Sequence, residues 1–123
     1  MNFEQAILAH RKWKDRLNGY LAKPDRSLLA TEVAADNKCE LGKWISGDGA
    51  KHASLQEFQM LRSEHARFHR AAADVIRKAD AGQSVSGETA LGGKSEFSAA
   101  SIAVVKAIVE LRKKVEAQVP AGR

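Results

Sequence analysis

The sequence predicts an all-α fold, an antiparallel four-helix bundle with a short extra helix that carries the cysteine motif. Three observations predict it. Apolar side chains recur at steps of three and four over long stretches, no segment alternates with period two, and the only prolines of the 123 residues are Pro24 and Pro120. Steps of three and four place side chains on one helix face, whereas a half-buried strand would alternate. Three long amphipathic helices and a shorter broken one are the parts of such a bundle.

The first helix runs from Phe3 to Leu21, with a stripe of Phe3, Ala6/Ile7, His10, Trp13, Leu17 and Tyr20/Leu21. It stops ahead of Pro24, which disfavours helical geometry in the residue before it. A second helix through SLLATEVAAD is expected to start at a cap on Asp25 or Ser27 and to end near Asp36. Asn37 lies three residues before Glu40, the spacing of a capping box, which places Cys39 in the first turn of a short helix, CELGKWIS, ended by SGDG. A long helix follows from about Ser54 to Ala81, capped by Ser54, with Leu55, Phe58, Leu61, His65, Phe68/His69, Ala72, Val75/Ile76 and Ala79 on its inner face. AGQSVSGETALGGKS reads as a loop. The last helix spans about 96–119, with Phe97, Ser101, Val104, Ile108, Leu111 and Val115 in heptad steps and a second apolar row of Ile102, Val105 and Val109 beside them. So wide a stripe on a small bundle predicts either a central position or a homodimer, with dimerisation favoured.

A chain of this length is expected to be one domain, 1–123, with a core that needs no covalent staple. A single cysteine excludes an intrachain disulfide and fits a reducing compartment. The first residues, MNFEQAILAHRKWK, carry charge within their apolar pattern, so neither a signal peptide nor a membrane-spanning helix is expected, and the chain reads as cytoplasmic. The net charge of +5 raises nucleic acid as a partner. The cations are interspersed with acids along every helix and lack aromatic interleaving, so they read as a solvated surface and no nucleic acid is expected.

The chemistry concentrates in four residues. His10 falls on the stripe of the first helix, and His65 and His69 on that of the long central one. His65 and His69 are one turn apart, so both imidazoles project from one face, their Cβ atoms about 6 Å from each other. A lone inward histidine is ordinarily a hydrogen-bonded core residue. Three of them on converging stripes, with the sole thiol Cys39 near the bundle wall, would cost stability unless something satisfied them together. Three imidazoles and one thiolate form a closed tetrahedral set suited to Zn²⁺ and unsuited to magnesium or calcium. A fourth protein ligand leaves no position for substrate. The metalloprotease pattern His-Glu-x-x-His is missing, since Ala66 follows His65 and Glu64 precedes it, and the stripes lack the inward carboxylates of a di-iron bundle. No enzyme is expected. His52, in GDGAKHAS, lies off every stripe and reads as a solvated loop residue; Trp13 and Trp44 read as core aromatics shielding the site.

AHRKWKDRL, CELGKWISGDG and LRSEHARFHRAA together resemble the chemoreceptor zinc-binding (CZB) domain, a bacterial sensory module. The likeness covers roughly residues 3–80. The Cys-x-Leu-Gly-x-Trp segment at Cys39, Leu41, Gly42 and Trp44 is its most specific part, joined by the His-x-x-Trp element at His10 and Trp13 and the His-x-x-x-His pair at His65 and His69. The resemblance implies a four-helix bundle that holds zinc through three histidines and one cysteine, here His10, Cys39, His65 and His69. It implies a homodimer and a neighbouring chemoreceptor coil or diguanylate cyclase, of which these residues contain no signature. It also implies a role in signal transduction such as chemotaxis. Three readings follow: a sensor of zinc availability signalling through helix packing, a sensor of an oxidant such as hypochlorous acid through the zinc-bound Cys39, and a structural zinc-stabilised dimerisation module.

Overall fold

A computed structural model describes residues 2–37, 39–82, 91–93 and 95–117. Its helices are α1 (Phe3–Ala22), α2 (Ala30–Ala34), α3 (Glu40–Ser46), α4 (Gln56–Asp80) and α5 (Glu96–Ala117), with a 3₁₀ turn at Asp48–His52 between α3 and α4. No strand occurs among the described residues, and none of their helices is long and apolar enough to cross a membrane.

Side-chain pairings fix the directions of the legs. Tyr20 at the end of α1 donates to Asp80 at the end of α4, 2.6 Å away, so these two helices run parallel. Arg67 meets Glu96 at 2.7 Å and Lys114 approaches Glu57 at 4.0 Å, so α5 runs back along α4. The α2–α3 leg descends: Val33 lies beside His69, Cys39 beside His65, and Trp44 beside Phe58. The result is the expected up-down-up-down bundle, with α1 and α4 running one way, the α2–α3 leg and α5 the other, and the second leg divided into two short helices. The stripes read from sequence are its interior. Leu17, Leu61, Phe68, Ala72, Ile76, Val104, Ile108 and Leu111 have 0% exposure. Each large apolar side chain so buried contributes about 1.5–3 kcal/mol relative to remaining in water.

Local details differ from the sequence expectation. The second helix is only Ala30–Ala34, with Leu29 at its N-cap and no side-chain cap. Asp25 does bond a backbone amide, but that of Ser27 at 3.0 Å, closing a local turn in which Arg26 takes a positive φ of 65°. Such an Asx turn competes with helix for the same donors. Asn37 does not cap α3. Cys39 occupies the N-cap itself, and its Sγ accepts the Gly42 amide at 3.4 Å. Likewise α4 begins at Gln56 after Leu55, without the expected Ser54 cap, because Ala53–Leu55 continue out of the 3₁₀ turn. Within the expected loop, 83–90 lie outside the described residues, as does Val119 beyond α5. The start of α5 is capped by Ser95, whose Oγ accepts the Ser98 amide at 3.0 Å.

Candidate metal centre

His10 comes from the middle of α1, His65 and His69 from successive turns of α4, and Cys39 from the N-cap of α3. Because α1 and α4 run parallel, the inward stripe of one presents His10 at the level of the His65–His69 pair on the other. The three rings are 3%, 1% and 4% exposed, against a half-buried Cys39. One donor atom from each of the four residues lies within 4.8 Å of the other three.

The contacts inside this cluster are short. Cys39 Sγ is 3.2 Å from His65 Nε2 and 3.6 Å from His69 Nε2, and the two Nε2 atoms are 3.0 Å apart. Donors sharing one tetrahedral zinc sit about 3.3 Å apart for two nitrogens and about 3.6 Å for nitrogen and sulfur, given the usual bond lengths. The Cys39, His65 and His69 donors are thus within a few tenths of an ångström of what one small cation requires, and His10 has a donor atom within 4.8 Å of each.

Backbone carbonyls orient the rings. His10 Nδ1 donates to the Ala6 carbonyl at 2.7 Å, and His69 Nδ1 to the Val33 carbonyl at 2.8 Å. A carbonyl only accepts, so both histidines carry their proton on Nδ1 and present a bare Nε2, the arrangement that outer carbonyls impose on metal-ligating histidines. His10 Nε2 is buried and has no hydrogen-bond partner among the described residues. An orphaned buried nitrogen costs about 1–3 kcal/mol, and a cation in the cluster would satisfy it. That orphan, together with a donor set of three imidazole nitrogens and one sulfur, fits zinc.

Electrostatics act the same way. Burial lowers all three imidazoles: His65 is pushed down to about 3, with His69 and His10 adding to the effect. For His10 and His69 burial outweighs the opposing Ala6 and Val33 carbonyls. The rings are therefore neutral and ligand-competent near neutral pH. Burial pushes the Cys39 thiol up, and the amides of Gly42 and Leu41 offset this only in part. The helix start alone does not ionise Cys39; a bound cation would.

The cysteine position depends on a glycine. A Cβ built on Gly42 would lie 1.7 Å from the Asp36 carbonyl oxygen. Only glycine lets the Asp36–Asn37 turn close onto α3 and hold Cys39 against His65. Sequence reasoning found the four donors but missed Gly42 and the Ala6 and Val33 carbonyls as their supports. The Leu-Gly pair two and three residues after the cysteine was the available signal for the first; backbone carbonyls leave none. His52 is not in the cluster, as expected, although it is half-buried, its ring 5.9 Å from that of Trp44. Trp44 packs edge-on against Phe3 at 5.5 Å, toward the lower end of the bundle. Glu64, the only carboxylate beside His65 in sequence, is engaged by Arg67 at 3.3 Å.

Fold and cluster together define a helical bundle built around a His₃Cys cluster positioned to hold a metal ion. The family model of the chemoreceptor zinc-binding domain matches residues 10–76, which start at His10, enclose the other three donors and make up more than half of the chain. The chain belongs to this family and is a zinc-binding sensory domain, a class not known for catalysis. No curated protein and no solved structure matches it.

Proposed function

We propose that residues 1–123 form one regulatory domain in which His10, Cys39, His65 and His69 hold a single Zn²⁺, and that zinc occupancy is reported through helix packing. The observation that carries this reading is the buried Nε2 of His10, without a hydrogen-bond partner among the described residues, in a residue clustered with three other donors. When bound, zinc supplies a common attachment point and holds the Cys39 sulfur as thiolate. The rest belongs to the chain: α1 contributes one donor, the α2–α3 leg another, and α4 two. Three of the four legs of the bundle are thereby tied at one level. Zinc binding in small peptides amounts to about 10–16 kcal/mol at neutral pH, well above the few kcal/mol that separate alternative packings. With the site empty, His10 keeps its ring packing on His65, His69 and Phe68 without a metal bond to fix it, and α1 is freed to shift.

The output lies on the outside of α5. Ile102 is 67% exposed, and Val105 and Val109 beside it are half-buried, an apolar row suited to a second copy of the chain. A homodimer would deliver the packing change to a chemoreceptor or diguanylate cyclase module in the cell interior. The deciding experiment is a zinc-affinity titration with metal analysis. One zinc per chain, at an affinity within the span of fluctuating cellular zinc, supports the reading; far less than one after purification without chelator sinks it.

Exposure of Cys39 favours a second reading. It is the one donor of the four that solvent reaches appreciably, so a two-electron oxidant such as hypochlorous acid can convert its thiolate to sulfenic acid with release of chloride. Zinc release by hypochlorous acid that disappears in Cys39→Ser would support this route; equal release from the variant would remove it.

A further inference from the structure

Resting on the zinc reading, we infer that the groove between α1 and the start of α3 admits a small anionic chelating molecule, with thiolate or carboxylate donors, that exchanges zinc with the site. Four protein donors leave no open coordination position, so rapid loading or unloading requires an incoming donor to replace an existing one. The replaceable donor is the one that can be reached. His65 and His69 are shut in the core, whereas Cys39 is half-buried. Among the described residues, openings border donor residues at two places. One is a polar cleft of about 110 Å³ that touches His65 and has Arg62 on its wall, room for a few waters at about 30 Å³ each. The other is the α1–α3 groove, about 670 Å³, with His10 and Cys39 both in its wall. That volume is typical of small-molecule sites, about 300–1,000 Å³.

The charges of the groove select its occupant. Trp13 and Leu41 give it an apolar lining, and Lys12 and Arg16, both exposed, give it two cations against the single carboxylate of Glu40. The Arg16 guanidinium lies 4.0 Å from the centre of the Trp13 ring, which holds its charge at the groove. An anion is drawn to such a surface and a neutral molecule is not. In the exchange an incoming thiolate or carboxylate would replace the Cys39 sulfur as a ligand, the freed Cys39 thiolate would take a proton from solvent, and the cation would leave with the chelator at unchanged oxidation state.

The test uses the full chain loaded with Co²⁺, whose absorption from the Cys39 thiolate bleaches as metal departs. Stopped-flow rates are measured with anionic EDTA and with neutral phenanthroline. The EDTA rate is expected to rise in proportion to EDTA concentration and to fall with added salt. The double variant Lys12→Gln/Arg16→Gln should lower it about tenfold at low ionic strength, leaving the phenanthroline rate and the cobalt affinity unchanged. Glu40→Gln should raise it. A rate independent of EDTA concentration, an equal loss with both chelators, or a loss on Arg62→Gln instead would overturn the groove while leaving the zinc site intact. A chain that takes up no cobalt overturns both.

Discussion

The chemistry of this protein turns on single nitrogen and sulfur atoms. His10 is the clearest case, since its Nδ1 is committed to Ala6 and its Nε2 has no partner among the described residues. Replacing it with leucine removes a buried unsatisfied group. The metal-free protein should therefore gain on the order of 1 kcal/mol or stay level, while the stabilisation by zinc largely disappears; thermal melts with and without metal read both. Gly42 is expected to matter as much as a ligand. Gly42→Ala forces the Asp36–Asn37 turn off α3 and should weaken zinc binding about 10–100-fold, the usual effect of disturbing a ligand's support. Gly19→Ala, where a Cβ meets nothing within 4 Å, should leave affinity unchanged in the same competition titration. The four donors were legible because a helix converts sequence spacing into a shared face. Their supports were not, because a backbone carbonyl has no residue type.

Among the elements, α4 is the fixed part and α1 the movable one. α4 carries eleven buried residues and α1 four. Removing zinc should accordingly raise amide exchange around His10 in α1 and across residues 39–46, with little change at Leu61, Phe68 and Ile76; uniform loosening would count against coupling through α1. Acid should act on the same elements. His65 has an ordinary value of 6.5 and a folded value of about 3, and His10 and His69 shift in the same direction. In that window the unfolded chain binds more protons than the folded one, so stability rises with pH. Stability of the metal-free bundle should be full above pH 6.5 and decline as the pH falls toward 3, followed by helix ellipticity in denaturant. Helix starts were the least legible feature. Cys39, Leu55 and Leu29 became N-caps where Asn37, Ser54 and Asp25 or Ser27 had the better side chains. In each case the path of the preceding turn decided.

For the whole molecule, the open question is how a change at the centre leaves the bundle. The inner row of α5 disappears into the core, with Val104, Ile108 and Leu111 at 0% exposure, and the second row stays outside. Ile102→Glu should convert a dimer to a monomer in light scattering, with a stability change within about 0.5 kcal/mol per chain in the monomer, as for ordinary surface substitutions. Dimers that persist in the variant would place the interface elsewhere. The two apolar rows of α5 were visible in the sequence, but which one faced inward required the other three legs.

By itself the sequence determined the all-helical class, the inward stripes and the four candidate donor residues, because periodicity and side-chain chemistry are properties of the chain alone. Only the tertiary structure decided that the donors meet. Convergence depends on α1 and α4 running parallel with His10 level with His65 and His69, and on a glycine that lets a distant carbonyl approach α3. Those are distances between segments far apart in sequence, set by how the core packs.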